Sequence, residues 1–241
     1  MHHFLRDPGA DGVGVAFSDA VAADGSVLSL GGAPGAAGRP PGIATVEAAL
    51  GVPLAVVRQV HGTDVAVVGG VDDLPEVATR SADALLTTAF GVGLAVRVAD
   101  CVPVLLADAG AGVVAAAHAG RVGLAAGVLQ ATVRAMRDAG AATITGWIGP
   151  HICGRCYEVP EAMADEVDAA VPGTRSVTSW GTPALDLAAG ARAVLAGLGV
   201  ESATVGGCTL EDRSLHSHRR DAAASGRQAG IIWLDGACRP T

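Results

Sequence analysis

A thiol and an imidazole, Cys101 and His118, each stand where an apolar run of the chain ends, and either can bind a metal. Cys101 lies within residues 92–108 (VGLAVRVADCVPVLLAD) and His118 within 113–123 (VVAAAHAGRVG), both of which read as buried strands. A strand cysteine is by default a small hydrophobe. Here Asp100 precedes it, and Pro103 removes a ladder donor just beyond, marking an irregularity where a side chain can turn outward. His61 sits at the lip of another strand, where LAVVRQV gives way to the turn-forming run HGTD; alone it is an ordinary loop histidine.

Other residues able to do chemistry are more ambiguous. His151, Cys153 and Cys156 suggest a zinc knuckle or a redox pair, but a structural zinc needs four ligands and no second CxxC or HxxxH accompanies them. This stretch reads as a loop near the site. His216, His218, Arg219 and Arg220 form either a solvated charge run or one wall of a cleft. Arg97, on an alternating strand, is either exposed or aimed at an anion. After His118, a small-residue turn leads into an expected helix, the arrangement that aims free backbone N–H groups at a phosphate. The Lys and Ser/Thr of a P-loop are absent.

The elements that must position these groups follow from periodicity. Strands are expected at 12–18, at 54–60 resuming at 66–68, and at 83–88, 93–98, 112–117, 143–148, 204–207 and 230–234. Helices are expected at 123–139, where Leu124, Val128, Leu129, Val133 and Met136 form one stripe, and at 160–171 and 185–198. Residues 33–42, rich in Pro and Gly, read as a surface loop. Many short strands without regular βα alternation predict an α+β fold of mixed β-sheets packed together and covered by about four helices, as one domain over residues 1–241.

Composition narrows the function. A chain of 241 residues, half of them apolar, buries a sizeable core, yet no apolar run reaches the ~20 residues of a membrane span. No secretory signal is visible at the start, so the cytoplasm is the expected location. Five scattered cysteines suggest reduced thiols rather than a disulfide framework. A net charge of -8 without a basic stripe argues against nucleic acid. No lysine occurs, which removes it from every mechanism. No feature specifies an oligomeric state.

Six motifs in order, RQVHG (58–62), ADCVP (99–103), HAG (118–120), IGP (148–150), CYEV (156–159) and SHRRD (217–221), resemble the YfiH-like family, also called the laccase-domain or polyphenol-oxidase-like family. The resemblance implies a YfiH-like domain in which His61, Cys101 and His118 bind zinc. It implies phosphorolysis of purine nucleosides (adenosine, inosine, guanosine and methylthioadenosine), with adenosine deamination; an older reading makes the family copper polyphenol oxidases. Three protein ligands leave one tetrahedral position open, the mark of a catalytic zinc. Copper tolerates the same ligands, although clusters of further His or Met for a multi-copper relay are lacking.

Phosphorolysis needs phosphate held against the sugar, and Arg58, Arg97, Arg121, Arg219 and Arg220 are the available guanidinium groups, with Gln59 and His218 beside them. Asp100 or Glu158 could move protons. Two departures from the family stand out: Val122 occupies a usual arginine position, and LSLG (28–31) replaces Leu-Asn-Leu-Gly without the Asn-Arg that follows it. Arg121 is expected to take over the missing contact. A metal-free hydrolase with Cys101 as nucleophile and His118 as base is the competing reading, and it leaves His61 without a role.

Overall fold

Two large sheets packed face to face, a separate two-stranded ribbon and covering helices make up the structure, a computed structural model that describes residues 1–31, 40 and 42–236. In chain order the first strands are β1 (His2–Arg6), β2 (Val13–Ser18), β3 (Leu54–Ala55), β4 (Val65–Val68), β5 (Ala84–Thr87) and β6 (Gly93–Val98). They are followed by β7 (Val102–Asp108), β8 (Val113–Ala119), β9 (Thr145–Ile148), β10 (Arg175–Val177), β11 (Pro183–Leu185), β12 (Glu201–Thr204) and β13 (Gln228–Leu234). The α-helices are α1 (Gly42–Leu50), α2 (Leu74–Val77), α3 (Arg121–Ala126), α4 (Val128–Asp138), α5 (Glu161–Ala170), α6 (Leu187–Gly197) and α7 (His218–Asp221).

One sheet has the order β1-β2-β13-β6-β3 and the other β12-β9-β7-β8-β5-β4, and both mix parallel with antiparallel pairs. The expected α+β class is therefore met. Period-two alternation assigns the layers. Along β7, Val104 and Leu106 face α4, α5 and α6, whereas Leu105 and Ala107 face the opposite sheet. On β13, Ile232 and Leu234 join that inter-sheet core while Ile231 and Trp233 pack towards α1. Both faces of the central strands are covered, so they read as continuous apolar runs. Among the described residues no helix is long and apolar enough to cross a membrane.

Several expectations are corrected. The helix expected at 123–139 begins two residues earlier and is broken into α3 and α4 at Gly127, whose φ of 98° lies in the left-handed region. Its apolar stripe is nevertheless real, since Val128, Leu129, Val133 and Met136 are all buried. The strand expected at 204–207 is instead β12, an edge strand pairing parallel with β9; its mostly exposed residues carry little apolar signal. The edge strand β1 and the helix α1 have no counterpart in the periodicity reading. Residues 33–42 lie outside the described residues apart from Pro40 and Gly42, the latter opening α1.

The most consequential correction concerns 54–68. β3 pairs with β6 in one sheet and β4 with β5 in the other, so the strand does not resume after its turn; the chain crosses between sheets. His61 sits on that crossing.

Candidate metal centre

The crossing segment holds His61 by a single carboxylate. Asp83, fully buried just before β5, accepts hydrogen bonds from the backbone N–H groups of Val60 at 3.1 Å, His61 at 2.9 Å and Gly62 at 2.6 Å. Satisfying three adjacent donors stabilises a backbone that would otherwise be unfavourable, for His61 has φ of 60°, a region non-glycine residues rarely occupy. Strain of this kind costs about 1–3 kcal/mol and clusters at functional sites.

Asp83 also binds the second imidazole. His118, near the end of β8 and 3% exposed, donates from Nδ1 to Asp83 Oδ1 at 2.8 Å, and its backbone N–H donates to the Asp83 carbonyl at 2.7 Å. With Nδ1 so engaged, Nε2 is the nitrogen turned to Cys101 and the one able to bind a metal. His118 shares the parity of Val114 and Ala116 and thus lies on the inter-sheet face of β8.

Cys101 enters from the bend between β6 and β7. Its predecessor Asp100 has φ of 83° and is held there from three directions: Oδ1 accepts from the Thr209 hydroxyl at 2.6 Å, Oδ2 from the Arg219 N–H at 2.6 Å, and the carbonyl from Ile152 N–H at 3.0 Å. Both Asp100 oxygens are therefore positioning groups. The irregularity expected near Pro103 is this bend, which turns the thiol towards the two imidazoles.

The three ligand atoms lie within 4.8 Å of one another; Cys101 Sγ is 3.8 Å from His61 Nε2, and the imidazole rings meet edge to face at 4.7 Å. A side chain at position 120 would fill the gap, since a Cβ there would stand 2.6 Å from His61 Cδ2 and 3.1 Å from Cys101 Sγ. Only glycine permits this convergence. Burial by itself pushes the Cys101 thiol up, but hydrogen bonds and positive charge from His118 and His61 outweigh it and bring it down to about 6. Burial likewise opposes the His118 imidazolium, yet Asp83 and Cys101 raise it to about 9. A thiolate with two imidazoles, one oriented by a buried carboxylate, is a donor set that fits a soft divalent metal.

The three ligands line a cavity of about 580 Å³ together with Gln59, Arg97, His218 and Arg227. No acidic side chain lines it among the described residues. Gln59 is a strand neighbour in disguise, its amide accepting from Arg97 N and donating to Arg97 O, each at 2.8 Å. Arg97 donates to the Leu30 and Val57 carbonyls, while its buried Nε has no partner among the described residues. Burial, and then nearby Arg227, lower the Arg97 pKa. Two guanidinium groups on a cavity with no carboxylate among its described lining residues suit an anion. Arg227 was missed because it stands alone in sequence, just before β13.

The remaining arginines divide. Arg219 lies 5.2 Å over the Tyr157 ring, and burial raises the Tyr157 phenol against the opposing charges of nearby Arg121 and Arg219. Arg121 opens α3, whose six residues limit its dipole, so an anion here would rely on the guanidinium rather than the helix. Arg220 instead ties a loop together, donating to the Thr209 and Leu215 carbonyls and to Asp221. Arg58 is exposed and outside the cavity lining. Glu158 accepts from the Trp180 indole on the β10–β11 side and does not line the cavity. His216 is buried against the Leu28 carbonyl.

Comparison with known proteins agrees with this architecture. Residues 42–235 match the family described as multi-copper polyphenol oxidoreductase laccase. A purine nucleoside phosphorylase of Streptomyces griseus is 55% identical over 74% of this chain and 73% of its own length, and one of Streptomyces coelicolor is 51% identical over 86% and 88%. Among solved structures, YlmD from Geobacillus stearothermophilus superposes with a TM-score of 0.81 at 28% identity, covering 95% of this chain and 94% of its own. YfiH from Bacillus licheniformis gives 0.78 at 26% identity, covering 92% and 93%. With the family match, the sequence identities and the fold in agreement, this chain belongs to the laccase-domain family of YfiH-like proteins.

Proposed function

We propose that this protein is a purine nucleoside phosphorylase that acts on adenosine, inosine, guanosine and methylthioadenosine and also deaminates adenosine, with zinc held by His61, Cys101 and His118. The observation that carries the reading is the convergence of those three side chains on a cavity that is lined, among the described residues, by arginines and no acid. Relatives 46–55% identical carry the name purine nucleoside phosphorylase, which supports it. Zinc supplies Lewis acidity when bound, and copper is the alternative that the family description keeps open.

The chain's own groups account for the rest. Phosphorolysis transfers the sugar from the base to phosphate, so phosphate must be held against the sugar carbon as positive charge develops there. Arg97 and Arg227 on the cavity wall, and Arg121 and Arg219 around Tyr157, are the groups suited to bind it. Asp83 keeps His118 in one tautomer, and Asp100 holds the bend that presents Cys101. His218 and Gln59 border the space left for nucleoside.

Base release from inosine should require phosphate and yield a sugar phosphate. Equal release in phosphate-free buffer would make the enzyme a hydrolase, and oxygen uptake with a phenol at comparable efficiency would favour the oxidase. In the same assay Arg121→Ala should weaken phosphate use at least tenfold with metal content unchanged, because a charge-assisted contact contributes about 1.5–3 kcal/mol. Unaltered phosphate kinetics, with loss on Arg227→Ala instead, would place phosphate beside Arg97.

A second reading has one observation in its favour. Cys101, His118 and Asp83 also have the order of nucleophile, base and orienting carboxylate, with the thiol lowered and the imidazole raised as in a thiolate–imidazolium pair. It gives His61 nothing to do, although Asp83 holds that residue's strained backbone in place.

A further inference from the structure

Outside the cavity, the fold assembles a second set of metal-ligating groups, three thiols and a carboxylate, from two segments 55 residues apart. Cys153 and Cys156 belong to the loop between β9 and α5, and Cys208 and Glu211 to the loop between β12 and α7. The two segments are aligned by a bridge between His151 and Cys208, with Thr209 N–H donating to the His151 carbonyl at 3.0 Å. Their turns match. Cys156 and Tyr157 N–H groups both donate to the Cys153 carbonyl, at 2.9 and 3.0 Å, and Glu211 and Asp212 N–H groups both donate to the Cys208 carbonyl, at 3.2 and 2.9 Å. Each turn therefore presents one ligand at its first position and another three residues on, so C-x-x-C faces C-x-x-E.

We propose that Cys153, Cys156, Cys208 and Glu211 form a closed structural zinc site, distinct from the cavity. The four ligand atoms lie within 4.8 Å of one another. Tetrahedral zinc with Zn–S of about 2.3 Å and Zn–O of about 2.0 Å requires S···S near ~3.8 Å and S···O near ~3.5 Å. Cys156 Sγ and Glu211 Oε1 are already 3.5 Å apart. The Cys153 N–H donates to Cys208 Sγ at 3.4 Å, which ties the two segments together at the site. A disulfide would use two sulfurs and leave the third and the carboxylate unexplained.

The site would act as a clamp behind the cavity wall. Cys208 adjoins Thr209, which holds Asp100 and hence the bend at Cys101; Cys156 adjoins Tyr157, which Arg121 and Arg219 face. Closing four ligands from two loops fixes both of those supports.

Metal analysis of protein purified under reductant tests the idea independently of the catalytic reading. The expected result is one zinc per chain that survives Cys101→Ser and is lost in Cys208→Ser and in Glu211→Ala combined with Cys156→Ser. Should the Cys208→Ser protein fail to fold, Cys101→Ser protein carries the test: Cys153, Cys156 and Cys208 should resist alkylation, mapped by mass spectrometry, until a chelator removes the zinc. A Cys101→Ser protein without zinc, with those thiols freely alkylated or two of them disulfide-bonded, overturns the proposal.

Discussion

Cys101→Ser is expected to strip the cavity of its metal and lower kcat/KM for phosphorolysis by ~10³ or more, a loss of about 4 kcal/mol in transition-state stabilisation. A serine hydroxyl is a harder donor that stays protonated, whereas the Cys101 thiol is brought down to about 6 by the two imidazoles beside it. Removing a direct ligand should exceed the roughly 10–100-fold loss in metal affinity that follows removal of an outer hydrogen-bond partner. Metal content and kinetics on the same preparation check this; a variant retaining cavity metal and activity would remove the thiolate from the site. His61→Ala separates the competing readings. A metal centre loses activity with either substitution, while a Cys–His hydrolase loses it with Cys101→Ser and keeps it with His61→Ala.

Asp83→Asn should be nearly as severe and act on stability as well. The Asp83 carboxylate accepts three backbone N–H groups and His118 Nδ1, with no exposure to solvent. An amide of the same shape must turn an NH₂ towards those donors, leaving some of them buried without an acceptor. Each orphaned donor costs about 1–3 kcal/mol, so a loss of ~3 kcal/mol or more in urea unfolding at unchanged slope is expected. Metal affinity should fall roughly 10–100-fold because both imidazoles lose their anchor. Parent-like affinity in a destabilised variant would make Asp83 a purely structural residue.

Much of the site was legible in order along the chain. Cys101 and His118 stood out because each closes an apolar run with a group able to bind a metal, and the succession of motifs named the family. The strands from β5 to β8 followed from their apolar runs, and the α4 stripe from its period. Asp83 was not legible as a site residue, for a lone acid before a strand looks like a turn residue until its partners, 21 to 35 residues away, are known. Arg227 and Arg220 show the same limit from opposite sides: one lines the cavity without any local signal, the other has the local signal and serves loop carbonyls instead.

The two cysteine clusters draw the line most clearly. Sequence by itself determined the ligand types, the apolar layers and the strand ends, since these depend on side-chain chemistry and on periods of 2 and 3.6 residues. Tertiary structure alone decided which ligands meet. His61 reaches Cys101 because the chain crosses from one sheet to the other, and Cys208 completes the CxxC because β12 runs parallel to β9 and delivers both loops to the same end of the sheet. Strand pairing is a long-range choice made by packing two faces at once, and no local window of residues contains it.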